Sequence, residues 1–173
     1  IALFPGGFGT HDEGFEIMTL VQTGKSDPKP IVCLQAPGCD YWDHWNSFIT
    51  DQLLKRRLIN AEDLALFTIV DNVEDAVTEI RTFYRRYHSL RFVGRQLAIR
   101  LKTPLSAAQV EEVQQQFSDM LTEGTFEQRP SLPEEIDEPG LKDLARLTFS
   151  FNRRNAGRLR QLINHLNQLP STA

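Results

Sequence analysis

The run Pro5-Gly6-Gly7-Phe8-Gly9-Thr10-His11-Asp12-Glu13 has the residue types and spacing to do chemistry. Three glycines, a hydroxyl and two carboxylates fall within this one run. Glycines let the chain turn sharply and let a ligand approach the backbone without interference from a Cβ. A helix beginning here leaves its first amide N–H groups without internal partners, at the positive end of the helix dipole. That combination is a ready phosphate site, with the Thr10 hydroxyl as an added donor. Gly6, Gly7, Gly9 and Thr10 are the candidate phosphate-binding residues.

Glu13 admits two roles. A carboxylate near a bound ribose can stabilise a developing cation, bind ring hydroxyls or orient water. Alternatively, Thr10-x-x-Glu13 has the spacing of a capping box, in which Glu13 only bonds back to the Thr10 amide. Glu16, one turn later on the same face, either supports the site or is a solvated helix charge.

His11 reads as exposed helix surface. Asp43 and His44 invite a metal reading but lack a third ligand at plausible spacing, so no metal is expected. Trp42, Trp45 and Phe48 would either stack a purine or pack a helix, and packing is the preferred reading. Arg153, Arg154, Arg158 and Arg160 read as solvated surface in preference to a phosphate site.

The elements that must position these residues follow from hydrophobic periodicity. Residues 1–4 form an apolar strand ending at the glycine-rich turn, and Thr10 opens a helix stopped by Gly24. Residues 31–34 form a second strand, an aromatic helix runs from Tyr41 to about Arg57, and residues 66–70 form a third strand. Asn72 caps a helix with Val73, Ala76, Val77, Ile80 and Tyr84 on one face. This alternation is the signature of a parallel sheet with crossover helices, an α/β fold. A different pattern follows: a strand at 97–102, a helix from Ser106, strands near 126–129 and 147–151, and a helix capped by Asn155. The Pro-rich, acidic residues 130–143 read as a surface loop. We expect a Rossmann-like domain over 1–87 and a small β-α-β-β-α module over 88–173.

The run Pro5–Glu13 resembles the PGGxGTxxE signature of the Lonely Guy (LOG) family. Gln22, Lys29-Pro30, Tyr41-Trp42-Asp43, the strand at 66–70 and the acidic helix after it extend the resemblance over about 87 residues. It implies a Rossmann-like fold, no cofactor, and hydrolysis of the N-glycosidic bond of a nucleoside 5'-monophosphate. The substrates implied are AMP or a cytokinin riboside monophosphate, and the products are free base and ribose 5-phosphate. It also implies that Glu13 is the catalytic carboxylate of an oxocarbenium-like reaction. A homodimer or higher homo-oligomer with a shared active site is implied too. The family's upstream Arg-Lys pair has no counterpart in this chain. An older label for such sequences, lysine decarboxylase, finds no pyridoxal-lysine motif here. A non-catalytic nucleotide or molybdenum-cofactor carrier using the same glycine cradle is the alternative. A third possibility is that 88–173 regulates a nucleosidase.

The net charge of −4 provides no basic field for a nucleic-acid polymer. No apolar run approaches the ~20 residues of a membrane span, and no signal-peptide pattern is present, so a cytoplasmic protein is expected. Cys33 and Cys39 read as a buried apolar thiol and a free loop thiol. The chain opens directly in a strand with no polar alternation, so we expect neighbours on both sides of it, one of them from residues outside this sequence.

Overall fold

The computed structural model describes residues 1–135 and 137–170 as an α/β protein in two compact units. The first comprises Ile1–Phe83 with Arg154–Gln161, and the second Tyr84–Arg153 with 162–170.

In the first unit β1 (Ala2–Leu3), β2 (Val32–Leu34) and β3 (Thr68–Val70) form a parallel sheet in the order β1-β2-β3. Between them run α1 (Phe8–Gln22), α2 (Tyr41–Phe48), which continues as a π-helical segment Ile49–Leu54, and a 3₁₀ turn Ala61–Leu66. After β3 comes α3 (Val73–Phe83), capped by Asn72, whose Oδ1 accepts the Asp75 amide at 2.8 Å.

The period-2 alternation of β2 divides the core. Leu3, Ile31 and Cys33 pack with Trp42, Trp45 and Ile49 on one face, while Val32 and Leu34 meet Ala76 on the other. Burial pushes the Cys33 thiol up to about 12, so it is inert packing. Gly14 lets α1 close on β1, since a Cβ there would stand 3.2 Å from Leu3 Cδ1. Gln22 donates to Asp63 at 2.6 Å, and Asp63 also accepts the Asn60 amide at 2.9 Å. That ties the end of α1 to the 3₁₀ turn.

The strand at the start pairs with β2 and is an edge of the sheet among the described residues; β2 and β3 both lie on its same side, as expected of them. Two expectations change here. The expected apolar face of α3 is only partly covered: Ala76 and Phe83 are buried, while Val73 and Val77 are exposed. Arg160 is not solvated surface. Only 1% exposed, it donates to the Lys29 carbonyl at 2.9 Å, pairs with Glu79 at 2.7 Å and stacks over Phe83.

The second unit is an antiparallel sheet in the order β4-β5-β7-β6, from β4 (Tyr87–Val93), β5 (Gln96–Leu101), β6 (Glu127–Arg129) and β7 (Ala145–Phe149). It carries α4 (Ala107–Phe117), and α5 (Ala156–Gln168) runs on into it. The Ser106 hydroxyl and Gln109 close a capping box at the start of α4, and Asn155 Oδ1 accepts the Arg158 amide at 2.8 Å. The element order is β-β-α-β-β-α, one strand more than the sequence pattern suggested. A register shift between Tyr87 and Ser89 breaks the alternation that would have marked β4. Gly94, at φ +58, turns the β4–β5 hairpin in a conformation that favours glycine.

Candidate functional site

Gly7, at φ −89 and ψ −153, delivers the chain straight from the end of β1 into α1, so the helix begins at Phe8 and not at Thr10. The amides of Phe8 and Gly9 therefore precede any intrahelical acceptor. The Thr10 amide is drawn to the Gly7 carbonyl at 3.2 Å, and the His11 amide lies 3.4 Å from the same oxygen.

The glycines divide by environment. A Cβ on Gly6 would meet Thr10 Oγ1 at 2.2 Å, so the bare backbone at Gly6 is what seats the Thr10 hydroxyl over the turn. A Cβ on Gly7 or Gly9 would meet nothing within 4 Å. Open space above two unsubstituted residues at a helix N-terminus suits an anion.

Tyr41 fixes the turn from outside. Its hydroxyl donates to the Gly6 carbonyl at 2.6 Å and lies 2.8 Å from His11 Nε2. With that one proton given to Gly6, His11 must be the donor in the second bond, protonated on Nε2. His11 also stacks on the Tyr41 ring at 5.7 Å. It is thus part of a half-buried aromatic cluster and not the exposed surface that its sequence position suggested.

Because α1 starts early, Thr10 and Glu13 do not form a capping box. Gly7 is the residue before the helix, it has no side chain to cap with, and no hydrogen bond joins Glu13 to the Thr10 amide among the described residues. Glu13 is exposed, and with Glu16 it lines a recess of about 240 Å³ beside β1, together with Ile1, Leu3, Ile17 and Leu20. The structure therefore brings Gly6, Gly7, Gly9 and Thr10 together at the turn that opens α1, and brings Glu13 together with Glu16 on the helix.

Two larger openings flank the turn. A crevice of about 530 Å³ lies at the carboxyl ends of the strands, lined among others by Phe4, Pro5, Leu34, Gln35, Asp71 and Asn72. Open α/β sheets bind their ligands in that position. Sequence reasoning missed Asp71 and Asn72 as lining residues, although their place directly after a strand was the available signal. An aromatic cleft of about 690 Å³ is lined by His11, Phe15, Tyr41, His44, Trp45 and Phe48 among others.

Trp42 and Trp45 are buried core, as the packing reading held, while Phe48 is exposed. Asp43 accepts from Gln35 Nε2 at 2.7 Å, whereas His44 pairs with Asp40 at 3.1 Å. The two residues of the discarded metal reading thus have separate partners.

Residues 1–80 match the model of a family described as "Possible lysine decarboxylase", a little under half of the chain. The match covers the glycine turn, α1 and all three parallel strands. No curated protein matches the chain.

Proposed function

We propose that the protein hydrolyses the N-glycosidic bond of a nucleoside 5'-monophosphate, AMP or a cytokinin riboside monophosphate, to free base and ribose 5-phosphate. The observation that carries this reading is the glycine turn, with open space over Gly7 and Gly9 and unsatisfied amides at Phe8 and Gly9. Lying inside the family match, it suits a 5'-phosphate better than any other part of the first unit. Gly6, Gly7, Gly9 and Thr10 hold the phosphate. Glu13, released from capping, is the carboxylate that faces the oxocarbenium-like ribose, and Glu16 supports it.

Hydrolysis by this scheme needs the cationic Arg-Lys pair that the resemblance implies, which these 173 residues do not supply. The recess holding Glu13 is lined in part by Ile1 and Leu3, at a strand that is an edge of the sheet among the described residues. We further infer a cytoplasmic homodimer or larger homo-oligomer, in which residues 1–87 bind nucleotide and residues 88–173 regulate it.

One observation favours a carrier instead. Glu13 does not line the strand-end crevice, so a ligand seated there would be cradled without a carboxylate. Incubation with a panel of nucleoside monophosphates, followed by chromatography of free base, separates the two. Base release supports the hydrolase, and saturable nucleotide binding without release supports the carrier. Glu13→Ala is expected to abolish release while the protein stays folded. Unchanged turnover in that variant would remove Glu13 from the mechanism.

A further inference from the structure

The sheet of the second unit has two unlike faces. Leu97, Ile99, Leu101, Leu147 and Phe149 are apolar and buried, as one face of an antiparallel sheet should be. The alternate positions of the same strands carry arginine. Arg100 of β5 and Arg146 of β7 are direct cross-strand partners, and Arg91 stands on β4 two residues beyond the partner of Arg100. Like charges facing each other across a ladder repel, and burying them adds a desolvation penalty. Nevertheless, the Arg100 and Arg146 side chains are 4% and 0% exposed. Something anionic must cover them.

In this chain the cover is the acidic segment 131–144. The two guanidiniums converge on one carboxylate, Glu135: Arg100 Nε donates to Oε1 at 2.8 Å, and Arg146 Nε to Oε2 at 2.9 Å. Arg100 also pairs with Glu138, and Arg91 donates to Asp137 at 2.9 Å with Glu138 Oε1 at 3.5 Å. Arg146 further holds the Leu141 carbonyl at 2.8 Å and that of Leu144. Among the described residues of the segment, Glu135 alone is buried; Pro133, Glu134, Asp137, Pro139, Gly140, Lys142 and Asp143 are exposed. Leu132, Leu141 and Leu144 are half-buried, so ion pairs and carbonyl contacts hold the described residues of the segment down together with parts of three leucines.

We propose that segment 131–144 is a detachable strap lying over an anion site, and that Arg91, Arg100 and Arg146 bind a small soluble ligand carrying two or more phosphate groups when the strap lifts. Guanidiniums that converge on one carboxylate present the forked donor pattern that a phosphate accepts. Three fixed arginines match a chain of phosphates better than a single one. The exchange replaces the Glu135, Asp137 and Glu138 carboxylates by phosphate oxygens, and no apolar side chain among the described residues of the segment is fully buried. His88 senses the same cationic environment: burial, then Lys102, Arg100 and Arg146, hold its pKa below the usual histidine range.

Titration calorimetry with inorganic tripolyphosphate, joined to amide hydrogen exchange over 131–144, tests this on the intact protein. Tripolyphosphate should bind, inorganic phosphate should bind at least tenfold more weakly, and exchange in the strap should rise while β5 and β7 stay protected. Asp137→Asn with Glu138→Gln, which spares the buried Glu135, should tighten binding about tenfold, and Arg91→Gln should weaken it by a similar factor. ATP competing for the site would mark the ligand as nucleotide-borne, and failure to compete would mark a free polyphosphate. Absence of tripolyphosphate binding in both wild type and the Asp137/Glu138 variant would overturn the proposal. So would binding that neither Arg91→Gln nor the strap's exchange registers.

Discussion

Gly6 and Gly7 are neighbours of the same type, but their surroundings give them different work. At Gly6 a methyl group would collide with Thr10 Oγ1, whereas at Gly7 it would project into open space. Gly7 also has a negative φ that any residue can adopt. Gly7→Ala is therefore expected to leave stability within about 0.5 kcal/mol of wild type. Nucleotide affinity should nevertheless fall, because the methyl group occupies the space assigned to phosphate. Gly6→Ala should instead displace Thr10 and lower the melting temperature. Thermal melts paired with AMP titrations check both, and a Gly7→Ala protein that binds AMP as well as wild type would move the phosphate elsewhere. The glycines were legible from sequence because a strand, a turn and a helix start leave few other uses for them. The fate of Glu13 was not. Capping depends on where the helix begins to within two residues, and Gly9 gave no sign that it lies inside the first turn.

At the scale of elements, α5 shows how a close approach is encoded. A Cβ on Gly157 would stand 2.4 Å from the carbonyl carbon and oxygen of Glu62, backbone atoms that cannot rotate away. Gly157→Ala should therefore destabilise by about 1–3 kcal/mol. That outweighs the roughly 1 kcal/mol gain in helix propensity, and urea denaturation would read the sign. The strap makes a pH prediction. Burial alone would raise the Glu135 pKa, but hydrogen bonds from Arg146, the Leu132 amide and Arg100 lower it from 4.5 to about 2. A carboxylate depressed on folding contributes stability that is complete above its unfolded value and lost as pH falls through the folded one. Protection of the β5 and β7 amides should thus decline between pH 4.5 and 2. Glu135→Gln should flatten that decline and cost about 3–5 kcal/mol at neutral pH, leaving the buried Arg146 without its carboxylate and Arg100 with Glu138 alone. Periodicity found the parallel strands and the caps at Asn72, Ser106 and Asn155, because each is a local signal. It read 130–143 as mere surface, since a buried ion pair 35 residues apart in sequence, Arg100 with Glu135, leaves no local trace. Arg160 escaped for the same reason, its partners Lys29 and Glu79 lying far along the chain.

At the scale of the molecule, the informative quantity is where apolar surface remains uncovered. Self-association was expected because α2 and its continuation carry more apolar side chains than one sheet face should absorb. That premise does not hold: Trp42, Trp45 and Ile49 are buried within the first unit, and Phe48 is the large exposed side chain of the helix. Yet of the ten large hydrophobic side chains exposed among the described residues, eight lie in the first unit. They include Phe4, Phe48, Val73, Val77 and Phe8, the last 96% exposed at the tip of the glycine turn. Scattered apolar residues are ordinary on a surface, but a concentration of aromatic and β-branched side chains on one unit is characteristic of an interface. A net charge of −4 spread over 173 residues opposes association only weakly. The protein is therefore expected to form dimers or larger assemblies at micromolar concentration. Phe48→Glu and Val73→Glu then distinguish the aromatic cleft from the α3 face as the contact. Each charge enters an exposed position, so the fold should survive and whichever variant dissociates marks the surface in use. Light scattering that gives the mass of a single chain for wild type across the micromolar range would sink the expectation. The exposed aromatics would then have to be explained by the nucleotide site alone.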